Sequence, residues 1–160
     1  MQQPAIIDLE ASGFGRGSYP IEVGVCLTDG TVHALLIKPV DSWTHWDEKA
    51  ESIHGISREY LAEHGKSPRD VAIFLNDLCS GMTLYSDAWS FDSSWLGRLF
   101  DEAEIVQRFR LDTITRLLDE QQLEKWSDTK DETAKELGLD LHRAANDVVL
   151  LRETFKKVKA

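Results

Sequence analysis

At 160 residues, 42% of them hydrophobic, the chain has enough apolar material for one domain, residues 1–160, with a sizeable core. A formal net charge of −10 with 18 Lys and Arg argues against a protein that holds long nucleic acid on a basic surface, although converging acids that bind divalent cations would reverse the local field. With no apolar run of about 18 residues and no basic, apolar leader, a cytoplasmic protein without membrane association is expected, its Cys26 and Cys79 reduced and buried rather than bound to zinc.

Taken in order, AIIDL at Ala5–Leu9 reads as a first strand, followed by the glycine-rich turn GFGRGSYP. IEVGVCLT (Ile21–Thr28) and VHALLIK (Val32–Lys38) flank Asp29-Gly30, a hairpin signal, so three antiparallel strands in succession are predicted. Helices are expected over Ser57–Gly65, with a serine cap, and from Ser67-Pro68 to Gly81. A short strand at Thr83–Tyr85 precedes a helix whose stripe is Phe91, Trp95, Leu99 and Phe100. A fifth strand at Phe109–Leu111 leads to helices over Thr113–Leu123, Ser127–Leu137 and Ala144–Val158. The sum is an α/β layered domain, a mixed five-stranded sheet with flanking helices.

Asp8 and Glu10 sit two apart on the first strand and therefore present their carboxylates to one face, with Leu9 on the other. Paired acids on an apolar strand suit either an exposed edge or a shared cation. Asp92 falls in the first turn of its helix, where an anion is favoured, and alone reads as an N-terminal acid. His142 and Asp147 are five residues apart, too far round to share a helical face, so His142 is expected in the loop entering the last helix and Asp147 on its early turns.

In this order, DxE at Asp8 and Glu10, FD at Asp92 and HxxxxD at His142 and Asp147 resemble the DEDDh group of DnaQ-like 3′–5′ exonucleases, which includes polymerase proofreading subunits, RNase T and oligoribonuclease. SIHGIS at Ser52–Ser57 and RLDTITRLL at Arg110–Leu118 resemble further segments of that group. Two departures stand out: relatives carry Asn ahead of the FD pair where this chain has Asp87, which leaves Asp87 as the substitute for Asp92, and the turn after DxE reads Ser12-Gly13-Phe14.

The resemblance implies a ribonuclease H-like fold in which Asp8, Glu10, Asp92 and Asp147 bind two divalent cations, Mg²⁺ or Mn²⁺, about 4 Å apart. It also implies that His142 is the general base and that nucleoside 5′-monophosphates are released from single-stranded 3′ ends of RNA or DNA; by the charge argument above, short ends are expected. Ser12, Gly13 and Phe14 are candidates for gripping the terminal nucleotide, Phe14 by stacking or by closing its loop over the core. Arg16, Lys125 and Lys130 are candidate phosphate contacts, and His54 is read as packing. Trp43 and Trp46 either pack over the start of a short helix or line a homodimer contact. The rival functions are a catalytically silent nucleic-acid-binding relative and a metal-dependent phosphomonoesterase.

Overall fold

The computed structural model describes residues 2–140 and 142–160. Its strands β1 (Ala5–Ala11), β2 (Pro20–Cys26) and β3 (Val32–Leu36) run antiparallel, the β2–β3 turn being closed by Asp29, whose Oδ1 accepts the Thr31 N–H at 2.8 Å. Strands β4 (Thr83–Ser86) and β5 (Arg110–Thr113) add parallel to β1, giving the order β3-β2-β1-β4-β5. This is the expected mixed sheet of five strands.

Helices α1 (Glu48–His54), α2 (Arg58–His64), α3 (Pro68–Cys79), α4 (Trp89–Ala103), α5 (Glu120–Leu137) and α6 (Ala144–Lys159) complete the chain. The predicted caps are in place: Ser57 and Ser67 each accept a backbone N–H three residues on, at 3.1 Å, and Pro68 opens α3. One region differs. Instead of two helices over Thr113–Leu123 and Ser127–Leu137, a 3₁₀ turn at Ile114–Leu117 precedes the single α5, which a capping box between Asp119 and Gln122 starts. Ser127 is an exposed mid-helix residue. The buried residues of α5 are only Trp126 and Thr133, so the apolar rhythm that would join its halves is missing from the sequence.

The alternation of β1 sorts the two layers. Ile7 and Leu9 face a core shared with Val71 and Leu75 of α3 and Leu96 and Leu99 of α4. Ile6 faces the opposite layer with Trp126 of α5 and Val148, Leu151 and Phe155 of α6. Asp8 and Glu10 continue the Ile6 face, so the layer beneath α6 is apolar at one end and acidic at the other. Among the described residues no helix is long and apolar enough to cross a membrane.

Candidate active site

The acidic end of that layer draws three carboxylates together. Asp8, Glu10 and Asp147, the last from the first turn of α6, each offer an oxygen within 4.8 Å of the others. Asp8 Oδ2 is buried and has no hydrogen-bond partner. Burial, then the charges of Asp92, Asp147 and Glu10, push the Asp8 carboxyl well above the usual range. Glu10 is raised to about 9, chiefly by burial and by its hydrogen bond to Asp147. Such a cluster must retain protons or take up a cation, because ionised carboxylates this close in a desolvated site repel.

Asp92 lines the same cavity from the first turn of α4 and is 1% exposed. Its Oδ2 accepts the Ser86 hydroxyl at 2.5 Å. Burial lifts its pKa to about 7, against the pull of that bond and of one from the Leu9 main chain. Asp87 lines the cavity too, but its oxygens are engaged by Trp126 Nε1 at 2.9 Å and Lys130 Nζ at 2.6 Å.

Two features of β2 explain how α6 comes to stand over β1. Gly24, paired with Asp8, lets the helix start close in: a Cβ there would lie 2.7 Å from the Ala144 carbonyl carbon and oxygen. Glu22, paired with Glu10, is buried and directs its carboxylate at the start of α6. It accepts the Ala144 N–H at 2.8 Å and bonds from two nitrogens of the Arg143 guanidinium, of which Nη2 is at 2.9 Å. The N-terminus of α6 lacks a side-chain cap from its own segment, and Glu22 supplies one from across the sheet. Glu22 and Gly24 were missed by the sequence reading. A lone acid inside the apolar IEVGVC was the available signal, the same one that singled out Asp8 and Glu10.

His142 stands in the loop before α6, as expected, exposed and lining the cavity. It takes a left-handed conformation, φ 66°, and its N–H donates to Asp147 Oδ1 at 3.0 Å, which ties the loop to the acid cluster. The cavity is about 600 Å³, and an aromatic group forms one wall. Phe14, 66% exposed, meets Phe91 edge-on at 5.0 Å between centroids, while Phe91 stacks on Trp95 at 5.7 Å.

A neighbouring apolar compartment of about 440 Å³ is lined by Gly13, Phe14, Ile53, His54 and Trp95, with Glu10 and His142 at the junction. Gly13 is held at φ 154° with Asp47 and His45 so near that a Cβ would clash. Ser12, by contrast, is fully buried, its hydroxyl taken by the Tyr19 N–H at 3.1 Å and by His45 Nδ1 at 2.8 Å. It anchors the turn that displays Gly13 and Phe14. Trp43 is buried against Tyr19 at 5.2 Å, and Trp46 donates to Glu51 of α1, so both rings pack within the chain. His54 packs as expected, with Nδ1 accepting the Ile56 N–H and Nε2 left without a partner.

Fold and site together define a class: an α/β domain of ribonuclease H-like fold carrying a half-buried carboxylate centre at the edge of an aromatic-walled cavity. No family model matches the chain, and no curated protein matches it in sequence. Among solved structures, it is similar to Escherichia coli exonuclease I in a zinc-bound complex with single-stranded DNA (TM-score 0.74, 14% identity, 99% of this chain and 41% of that one). The same enzyme with a dT13 oligonucleotide gives a TM-score of 0.76 at 14% identity, over 100% of this chain and 41% of that one. Exonuclease I from Methylocaldum szegediense gives 0.59 at 16% identity, over 79% of this chain and 30% of that one. At these identities the likeness shows the fold, and the chain spans at most about two-fifths of the exonuclease I chains named.

Proposed function

We propose that the chain, as one domain over residues 1–160, is a metal-dependent 3′–5′ exonuclease of single-stranded DNA or RNA that releases nucleoside 5′-monophosphates. The observation that carries this reading is the partnerless Asp8 Oδ2 set among carboxylates within 4.8 Å of one another. A hard, all-oxygen donor set of this kind suits Mg²⁺ or Mn²⁺. Asp8, Glu10 and Asp147, with Asp92 beside them, would hold two such ions. When bound, divalent cations supply Lewis acidity to an attacking water and neutralise charge on the departing oxygen.

The chain's own residues do the rest. His142, displayed on its loop at the cavity rim, accepts the proton of the attacking water. Phe14 and Phe91 offer faces for the terminal bases, and Gly13 lets the strand approach the turn that Ser12 anchors. Ser86 fixes the rotamer of Asp92 through its short hydrogen bond. The partners are single-stranded 3′ ends, and the two unpaired buried thiols, Cys26 and Cys79, suit a reducing cytoplasm.

The single-stranded DNA in the exonuclease I complexes supports this substrate class. The test is digestion of matched, 5′-labelled DNA and RNA oligomers with Mg²⁺ or Mn²⁺. Laddering from the 3′ end, abolished by EDTA and by Asp147→Asn, is expected. Binding without cleavage would make the chain a silent relative, and loss of a terminal phosphate alone a phosphomonoesterase.

A further inference from the structure

Six carboxylates line the cavity, those of Asp8, Glu10, Asp87, Asp92, Asp131 and Asp147, and among its described lining residues Lys130 is the single lysine or arginine. A polyanionic strand entering such a cavity brings one phosphate to the metal-binding acids, and the adjacent phosphate needs a counter-charge of its own. Arg16 and Lys125, the other basic residues considered for phosphate, are exposed and outside this lining.

Lys130 is built for the task. Its ammonium lies 2.6 Å from Asp87 Oδ2, and the side chain keeps 35% of its surface exposed. Asp87 is itself fixed, because its other oxygen accepts Nε1 of the buried Trp126 at 2.9 Å. One of three ammonium donors is thereby engaged and the cation is held at the rim rather than free to swing.

We infer that Lys130 grips the phosphate adjacent to the scissile one, with Asp87 as the carboxylate that holds its ammonium in place before a strand arrives. This rests on the exonuclease reading and narrows its substrates: strands of two or more phosphates are favoured over esters that carry only the reacting one.

The experiment compares the parent protein with Lys130→Gln and Lys130→Arg on two substrates, a 5′-labelled oligothymidylate and the p-nitrophenyl ester of thymidine 5′-monophosphate, which has a single phosphodiester. For Lys130→Gln, KM for the oligomer should rise about tenfold, the scale of one charge-assisted hydrogen bond at a half-exposed site. The slope of log affinity for the oligomer against log salt should become shallower by about 0.7. KM for the ester should not follow, and Lys130→Arg should restore oligomer binding. Equal losses on both substrates, or an unchanged salt slope, would overturn the assignment and leave Lys130 as a prop for α5. A parent protein that cleaves neither substrate would refute the exonuclease reading instead. The oligomer-binding slopes from the same samples would still decide for or against Lys130.

Discussion

Replacing Glu10 with glutamine should make the metal-free protein more stable while weakening its capacity to be stabilised by metal. In the folded chain Glu10 has its pKa raised from 4.5 to about 9. At pH 7 without metal the folded state therefore keeps this proton, whereas the unfolded chain has lost it. A raised folded-state pKa gives stability that is fully present below the unfolded value and is lost as pH rises through the folded value. Between 4.5 and 7, at about 1.4 kcal/mol per pH unit, the parent gives up about 3 kcal/mol.

The Glu10→Gln variant has no such proton to bind, and its amide donates to Asp147 as the protonated carboxyl does. In EDTA at pH 7 its Tm should exceed the parent's by about 6–12 °C for a chain of this size, and the difference should vanish near pH 4. With Mg²⁺ or Mn²⁺ at a hundred times its Kd, the parent should gain about 2.7 kcal/mol and the variant distinctly less, so most of the gap closes. Thermal melts over pH 4–9, with and without metal, make the measurement. A variant less stable than the parent in EDTA at pH 7, or a gap independent of pH, would refute the account of the cluster.

His142→Ala should lower kcat by about 10²–10⁴-fold with oligomer affinity retained and the acidic limb of the rate–pH profile flattened; an unchanged profile would remove His142 from proton transfer. Gly24→Ala places a Cβ 2.7 Å from the Ala144 main chain and should cost about 1–3 kcal/mol. The shift forced on α6 should also blunt the rise in Tm that Mn²⁺ produces, and a full rise would show that the site tolerates the displacement. Glu22→Ala strands the Ala144 N–H and the Arg143 guanidinium, for an expected loss of about 2–3 kcal/mol by denaturant unfolding. Glu22→Gln, which keeps an acceptor for Ala144, should lose less, and equal losses would count against the capping role.

The parts of the site that were legible in the sequence are those governed by local rules. Period-two alternation put Asp8 and Glu10 on one face, and the helix start placed Asp92 in the first turn of α4 and Asp147 in that of α6. Serine caps and the Asp29-Gly30 turn punctuated the elements correctly for the same reason. What escaped depends on contacts between distant segments. Glu22 acquires its role only when Arg143 arrives, 121 residues later, and the value of Gly24 appears only when Ala144 lies against it. Likewise Asp87 reads as a rival ligand until Trp126 and Lys130 are seen to engage its oxygens. Helix α5 was split in two because a helix anchored by so few buried side chains carries little periodic signal.

The docking of α6 on β1 and β2 has a consequence for the chain during synthesis. Asp8 and Glu10 emerge well before Asp147 and before the Arg143 that locks to Glu22 from 121 residues further on. A ribosome-bound or proteolytically clipped chain without residues 144–159 thus has two of the three clustered carboxylates and lacks the third, Asp147. Pairings of such sequence separation are also slow to form. The carboxylate cluster therefore forms only after α6 has been made and has docked on β1 and β2.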